Sequence, residues 1–223
     1  MIVNHIYHSG YMVELDRNVL IFDWYTGKLP TIPEGKRITV FISHRHGDHY
    51  GRCAIRLSRD YPDIRYFIDS GISPIKGIDA VYVEPHRTYE SDGMRISTLL
   101  STDEGVAFMV EVEGAKIYHA GDLNLWYWNG EPDEDNRWQY DTYRSEIDRL
   151  SEILGSGTLD VGIVTFDPRQ EDHIADGINY FNSKIDCRNV FLMHYWDDLE
   201  GVKNSLGLIE KRENLRTDSP YIL

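Results

Sequence analysis

The chain lacks any long hydrophobic run, and it carries only two cysteines in 223 residues. No stretch approaches the roughly 18 consecutive apolar residues of a membrane helix, and the first residues lack the pattern of a secretory signal. Cys53 and Cys187 are too few for a disulfide framework, and their spacing is not that of metal ligands. The sequence therefore predicts a protein without a membrane span, working in a reducing cytoplasm.

Basic residues are also scarce. Lys and Arg number 23 against 37 Asp and Glu, which gives a formal net charge of −14. Nucleic-acid-binding proteins usually carry a basic face, so this balance disfavours a nucleic-acid partner, although bound metal ions can supply local positive charge. We expect a small-molecule substrate instead. The charge leaves the oligomeric state open.

The chain's 41% hydrophobic and 27% charged residues are typical of a globular protein. Its length suits one domain over residues 1–223 with a full core. Apolar runs separated by turn residues predict several strands within 2–22 and 94–118, while apolar residues at helical spacing predict a helix over 138–154. The acidic segment 131–135 is interpreted as a solvated loop. A strand-rich half followed by alternating strands and helices favours an α/β fold with two sheets packed face to face.

Three histidines and an aspartate crowd into residues 44–49, directly after an apolar run that predicts a buried strand. Imidazole is the commonest metal ligand, and a carboxylate is a suitable oxygen donor beside it. His44 and His46 can point the same way and chelate one cation. Asp48 and His49 follow too closely to complete the same tetrahedron easily, so they suggest a second cation. The sequence therefore predicts a metal site in this loop.

The spacing His-x-His-x-Asp-His after a strand resembles the signature of the metallo-β-lactamase-fold superfamily of metal-dependent hydrolases. Gly121-Asp122 after a later strand and His194 after another match the further landmarks of that superfamily, so the resemblance spans most of the chain. It implies a four-layer αββα sandwich of two mixed β-sheets flanked by helices. It also implies two divalent metal ions, with zinc first and manganese or iron as alternatives. The implied ligands are His44, His46, Asp48, His49, Asp122 and His194.

One landmark of the superfamily is missing. Most members place another metal-ligating histidine just before the strand that corresponds to residues 106–112, whereas this chain has Ser101-Thr102-Asp103-Glu104-Gly105. Asp103 is a candidate oxygen ligand in its place, and His119 is a candidate to reach in from the next strand end. A weaker first site is the third alternative. The compact size and the ending Met193-His194-Tyr195 resemble the small hydrolases related to the ascorbate-phosphate lactonases.

Three further residues are candidates for substrate contact, because they follow late predicted strands: Arg169, His173 and Tyr195. A guanidinium can orient a carboxylate or phosphate group, although Arg169 fits equally well as a structural ion-pair partner. His5 and His8 are interpreted as ordinary strand or turn histidines, with a metal role for either as the open alternative.

The resemblance implies hydrolysis by a metal-activated water molecule, since a bound cation lowers the pKa of water toward about 7. Asp48 would accept or shuttle a proton, as the equivalent aspartate of the superfamily often does. The motif does not choose among ester, lactone, thioester, phosphodiester and amide substrates. Two other functions stay open: a di-iron redox protein of the same fold, and a metal-binding protein without turnover. Asp23, at the end of a predicted strand, is a candidate for the rim of the site by position alone.

Overall fold

Strands form in this chain where apolar residues are covered on both faces of a sheet. The computed structural model describes residues 1–217 and 219–223 and contains two seven-stranded sheets. The strands are, in chain order, β1 (Ile2–Tyr7), β2 (Gly10–Glu14), β3 (Asn18–Phe22), β4 (Arg37–Ile42), β5 (Arg65–Asp69), β6 (Ala80–Val83), β7 (Thr88–Ser91), β8 (Met94–Leu100), β9 (Val106–Val112), β10 (Ala115–His119), β11 (Val161–Thr165), β12 (Val190–Met193), β13 (Leu215–Arg216) and β14 (Tyr221–Ile222).

Both sheets follow one pattern of strand directions. The first has the spatial order β14-β1-β2-β3-β4-β5-β6, and the second has the order β7-β8-β9-β10-β11-β12-β13. In each, the first four strands run antiparallel, and three more are added parallel to the fourth. Each sheet is therefore mixed.

The core lies mainly between the two sheets, and alternation along the strands directs side chains into it. On β4, Phe41 faces inward, where its ring lies 4.7 Å from that of Phe22 and 5.2 Å from that of Phe108 on the opposite sheet. Val40 and Ile42 point to the other face and join a second apolar cluster. Both faces of β4 are therefore covered, which explains its mostly apolar sequence.

Helices cover the outer faces. Ala54 packs into the apolar cluster on the outside of the first sheet, whereas Ile147 and Phe181 are buried against the second. The predicted α/β architecture of two mixed sheets flanked by helices is confirmed. The helices are α1 (Arg52–Arg56), α2 (Asp133–Leu154), α3 (Asp176–Lys184) and α4 (Leu199–Ser205).

The structure corrects one interpretation of the sequence at α2. Residues 133–135 are not loop but the first turn of the helix, with Pro132 at its N-cap. Their carboxylates lie where the helix dipole is positive, which stabilises the N-terminus. No helix among the described residues has both the length and the apolar surface needed to cross a bilayer.

The loops that follow β1, β3 and β4 meet those that follow β8, β10, β11 and β12 at one edge of the sandwich. Val106 N donates to Ser43 O at 3.0 Å, and His194 N donates to His8 O at 3.3 Å. Ligand sites of α/β sheets typically lie outside the carboxyl ends of strands. This edge therefore gathers the candidate site.

Candidate metal centre

The first of two donor groups consists of His44, His46, Asp103 and Asp122, whose ligand atoms lie within 4.8 Å of one another. His44 Nε2 faces His46 Nδ1 at 3.0 Å and Asp122 Oδ2 at 3.4 Å. Asp103 Oδ2 lies 3.5 Å from His46 Nδ1. The loop between β8 and β9 thus supplies a carboxylate where the superfamily usually supplies an imidazole.

The second donor group consists of His8, Asp48, His49 and His194, again within 4.8 Å of one another. Asp48 Oδ2 lies 3.4 Å from His8 Nε2 and 3.8 Å from His194 Nε2. Of these four residues, only His8 was not among the ligands expected from the sequence. Its position in the turn after β1 gave no periodic or spacing signal, and contact across the sheets brings it in.

Asp122 lies between the two groups. Its Oδ2 faces His44, while its Oδ1 lies 3.0 Å from His49 Nε2 and 3.4 Å from His194 Nε2. Oδ1 is buried against these imidazoles and makes no hydrogen bond of ordinary geometry among the described residues. A buried carboxylate oxygen beside converging imidazole nitrogens is a donor set that fits divalent cations.

The charges of the centre are strongly coupled. Burial alone would raise the pKa of Asp122, but His49 and His194 hold it well below its usual range. Burial likewise opposes a charge on His49, yet the carboxylates of Asp122 and Asp23 raise its pKa well above the ordinary value. Burial lowers the pKa of His44 to about 4, with His49 adding to the effect. Without a cation, a proton on His49 offsets part of the negative charge of the buried carboxylates.

Asp23 lies beneath the centre rather than at its rim. It is buried, it accepts hydrogen bonds from Ser43 N at 2.8 Å and Ser43 Oγ at 2.6 Å, and its Oδ2 lies 2.8 Å from His49 Nδ1. This carboxylate fixes the ring of His49 so that Nε2 faces Asp122. Carboxylates that hold metal-ligating histidines in this way raise their basicity and set their orientation.

Asp167 orients the ring of His194 as Asp23 orients that of His49. The sequence analysis missed Asp167 as a site residue. Its Oδ2 lies 2.9 Å from His194 Nδ1, and Arg169 Nε donates to both of its oxygens at 2.9 Å. Burial would raise the pKa of Asp167, but these partners lower it to about 2. The available signal was its position directly after the buried strand β11, at the same edge as the histidines.

His119 is not brought into either donor group. Its Nε2 lies 3.0 Å from Ser9 O, and its Nδ1 accepts a hydrogen bond from Gly121 N at 3.1 Å. Its ring stacks on Phe22 at 5.0 Å. Both nitrogens are engaged by backbone, so His119 supports the loop that carries Asp122.

A cavity of about 310 Å³ opens above the centre. Its floor consists of members of both donor groups, and its walls are aromatic, amide and guanidinium side chains. Arg169, one of the predicted substrate contacts, lies over the Trp128 ring at 6.0 Å and faces this cavity. The lining residues are His46, Asp48, Asp103, Asp122, Trp126, Trp128, Gln139, Arg169 and His194.

The other two predicted substrate contacts lie outside this cavity. Tyr195 OH lies 2.9 Å from His5 Nδ1, and both residues line a different cavity of about 340 Å³. His173 packs its ring 3.9 Å from that of Tyr127 and pairs with Asp176 at 2.8 Å. Both residues follow strands that end at the site, but Tyr195 pairs with His5, and His173 lies at the end of the 3-10 helix Pro168–His173, so neither lines the cavity.

Comparison with known proteins identifies similar sequences. A UPF0173 metal-dependent hydrolase from Korarchaeum cryptofilum is 29% identical over 136 residues, which are 56% of this chain and 61% of that protein. Another, from Cereibacter sphaeroides, is 27% identical over 212 residues, covering 84% of this chain and 83% of the relative. The match thus spans under two thirds of the first relative. No protein-family model matches the chain.

Solved structures show the same fold. The metallo-β-lactamase fold protein YhfI from Bacillus subtilis superimposes with a TM-score of 0.65 at 13% identity, over 99% of this chain and 97% of that one. Igni18, a metallo hydrolase from Ignicoccus hospitalis, gives 0.59 at 18% identity over 99% and 96%. CmlA, a diiron β-hydroxylase from Streptomyces venezuelae, gives 0.55 at 13% identity over 86% and 44%. The chain has the metallo-β-lactamase fold, and the resemblance predicted from the sequence is confirmed.

Proposed function

We propose that the protein is a metal-dependent hydrolase that holds two divalent cations at this centre. The observation that carries the proposal is the placement of Asp122, whose two oxygens each face a different group of imidazoles. One carboxylate can bridge two cations in this way. The similar proteins from Korarchaeum and Cereibacter are named metal-dependent hydrolases, which supports the reaction class.

His44 and His46 with Asp103 would hold one cation, and His49 and His194 with Asp48 would hold the other. Bound cations would supply a nucleophilic water at neutral pH and stabilise charge on the attacked group. Burial would raise the pKa of Asp48, but the nearby His8 and His49 hold it well below its usual range, so it stays ionised. An ionised Asp48 at the cavity floor can accept a hydrogen bond from the attacking water and relay its proton.

The cavity walls support a small substrate with an anionic or polar group. Arg169 is held by Asp167 and presents its guanidinium beside the cavity, where it can orient a carboxylate or phosphate. Trp126 and Trp128 stack on each other at 5.8 Å and offer an apolar wall. We propose a small ester, lactone or phosphodiester. A lactone is the choice that fits the predicted likeness to the ascorbate-phosphate lactonase group.

Zinc, manganese and iron all suit a centre of imidazoles and carboxylates. The carboxylate of Asp103 adds negative charge and an oxygen donor, which moves the preference of the first group toward the harder cations. The net charge of −14 supports a small molecule rather than a nucleic acid as the partner. The unpaired thiols of Cys53 and Cys187 are consistent with a reducing cytoplasm.

A di-iron redox activity is the second candidate, and the oxygen donor at Asp103 favours it. Carboxylate-rich sites with histidines suit iron, and CmlA shows that a diiron hydroxylase can use this fold. An iron-loaded protein that changes its visible spectrum reversibly on reduction and exposure to oxygen would support this candidate. If the spectrum does not change and no tested substrate is hydrolysed, the remaining candidate is a metal-binding protein that lacks turnover.

The experiment that tests the main proposal counts metal atoms per chain by elemental analysis. We expect about two in the wild type and a loss in His46→Ala and Asp122→Ala, with the larger loss in Asp122→Ala because it serves both groups. His173→Ala is the matched control, since its ring lies outside the cavity. The loaded proteins are then assayed against panels of chromogenic esters, lactones and phosphodiesters. A wild type that holds no metal after reconstitution would overturn the proposal.

A further inference from the structure

His8 enters the second donor group from the turn between β1 and β2. Its side chain is fully buried between the rings of Trp196 and His194, whose centroids lie 4.0 and 4.3 Å away. Its backbone oxygen accepts a hydrogen bond from His194 N. Contacts on both faces hold the ring, so the fold sets the direction of each nitrogen.

The hydrogen bond to Nδ1 determines which nitrogen of His8 carries the proton. Trp196 N donates to His8 Nδ1 at 3.0 Å. A backbone N–H only donates, so Nδ1 must present its lone pair, and the single proton of the neutral ring then lies on Nε2. A protonated nitrogen has no lone pair for a cation. In His49 and His194, by contrast, Nδ1 faces a carboxylate and Nε2 faces Asp122 Oδ1 at the centre.

The N–H at Nε2 of His8 is buried and makes no hydrogen bond of ordinary geometry among the described residues; the carboxylate of Asp48, whose Oδ2 is 3.4 Å away, is its weak partner. A buried donor whose hydrogen bond is poorly made is costly to the fold. This one faces the second donor group, beside Asp48 and His194, which line the cavity above the centre. The fold therefore keeps a poorly satisfied donor aimed at the centre.

Backbone strain at the same place supports a functional role. His8, His194 and Trp196 have φ values of 51°, 70° and 50°, which non-glycine residues rarely adopt. Such residues are concentrated at active sites and ligand clamps, where the surrounding structure compensates for the strain. Here the His8 ring contacts the rings of both other residues, so the strained backbone positions a metal ligand beside the His8 donor.

We propose that His8 is a hydrogen-bond donor to substrate and not a fourth ligand of the second cation. The inference rests on the proposed hydrolase function: Nε2–H would donate to the substrate oxygen that gains negative charge as water attacks. A preorganised donor at such an oxygen contributes about 10²–10³-fold to the rate. Without His8, each cation has an equivalent donor set of two imidazoles, one carboxylate of its own and the shared Asp122.

The first test is histidine nitrogen NMR on the zinc-loaded wild type, in which zinc keeps the spectra free of paramagnetic broadening. We expect His8 to show a protonated Nε2 and an unprotonated Nδ1, whereas the ligand Nε2 atoms of His49 and His194 show the shift of a zinc-bound nitrogen. A protonated Nδ1 with a zinc-bound Nε2 at His8 would overturn the proposal. This readout needs neither a substrate nor a variant that folds.

The second test compares His8→Phe, which keeps a ring but no donor, with His8→Gln, whose amide N–H can replace Nε2–H. Inorganic phosphate serves as the oxygen-bearing probe, and metal content and phosphate affinity are measured for each protein. We expect both variants to keep about two metal atoms per chain. Phosphate affinity should fall about tenfold in His8→Phe and recover in His8→Gln. His173→Phe is the control and should match the wild type.

The outcomes separate this inference from the function on which it rests. Loss of one metal atom in His8→Phe would make His8 a ligand, overturning the inference while leaving a binuclear hydrolase. Unchanged phosphate affinity in His8→Phe would also overturn it. A wild type without metal would overturn the proposed function, and with it any part for His8 in substrate binding.

Discussion

At the scale of single residues, the partner of one ring nitrogen decides what the other can do. His49 and His194 turn Nε2 to the centre because Asp23 and Asp167 lie against their Nδ1 atoms. His119 is equally buried and close by, yet backbone groups lie at hydrogen-bond distance from both of its nitrogens. Spacing in the sequence cannot show these partners, which is why His119 remained a candidate ligand until its contacts were seen.

The oxygen donor of Asp103 should control the metal preference of the first group. We expect Asp103→Ala to lower the metal content from about two atoms per chain to about one, because His44 and His46 then have only Asp122 beside them. Asp103→His should bind zinc in preference to manganese more strongly than the wild type does, since nitrogen is the softer donor. Elemental analysis after dialysis against equal concentrations of the two metals measures both effects.

Asp176→Ala removes a partly exposed carboxylate that pairs with His173 and serves as the control for Asp103. It should leave both metal content and preference unchanged. Retention of two atoms per chain in Asp103→Ala would show that the first group does not need this carboxylate.

Proton release should accompany metal binding because of the raised pKa of His49. In the metal-free protein the His49 ring stays protonated between about pH 5 and its raised pKa. A cation must displace that proton to reach Nε2. Apparent metal affinity should therefore rise about tenfold per pH unit across this window from His49 alone. His44, with a pKa of about 4, adds no proton above about pH 6.

Calorimetric titration of metal in two buffers of different ionisation enthalpy counts the released protons. Asp23→Asn removes one of the two carboxylates that raise the pKa of His49, so fewer protons should be released near pH 7.5 than from the wild type. Equal proton counts in the two proteins would contradict this account of the charge balance.

At the scale of elements, the ligands share one property that the sequence displays. His44 follows β4, Asp122 follows β10 and His194 follows β12, so each comes directly after a buried apolar strand. That pattern, with the dense histidine loop, predicted the main ligands. Asp103 lies in the loop between β8 and β9, and His8 lies in the turn after β1. Neither segment has a periodic pattern, and the position of both residues depends on packing between the two sheets.

The strands of the fold, like the main ligands, were predictable from the sequence where buried apolar residues mark them. Strands that are mostly apolar, such as β4, β9 and β11, are evident because both faces are covered. The edge strands β7, β13 and β14 were not predicted, since they have four residues or two and depend on pairing with a neighbour. The start of α2 was missed because three consecutive acidic residues suggest a solvated loop, although at a helix N-terminus they are stabilising.

Gly105 should be essential for the contact between the loop before β9 and the histidine loop. It has a φ of +73°, and an added Cβ would lie 2.0 Å from Ser43 O and 2.6 Å from His44 Cβ. Gly105→Ala cannot be accommodated without moving the histidine loop away. We expect it to lose metal from the first group and to lower the free energy of unfolding by more than about 2 kcal/mol.

Gly93 provides a matched control for this prediction. Its φ is +80°, but no atom lies within 4 Å of an added Cβ. Gly93→Ala therefore meets only the backbone penalty, about 1–2 kcal/mol, and should keep the metal content of the wild type. Denaturant unfolding and elemental analysis measure both variants. Equal effects of the two substitutions would show that the collision with Ser43 and His44 is relieved at no cost.

At the scale of the whole molecule, the centre joins the two sheets. The first sheet contributes His44, His46 and His49, and the second contributes Asp122 and His194, so neither sheet has a complete ligand set. The buried carboxylates at this junction repel one another and are neutralised by protons or by cations. Metal binding should therefore stabilise the packing of the two sheets as well as enable chemistry.

Removing metal should consequently lower the melting temperature of the whole protein. If free metal exceeds its dissociation constant about 1,000-fold, binding stabilises the native state by about 4 kcal/mol, which for a chain of 150–250 residues corresponds to roughly 8–16 °C. Thermal unfolding of the metal-loaded wild type with and without a chelator tests this expectation. Asp122→Ala should respond weakly to the chelator, because it has lost the ligand common to both groups. An unchanged melting temperature of the loaded wild type on chelation would mean that the cations do not stabilise the packing of the two sheets. The fold would then position the metal centre without depending on it for stability.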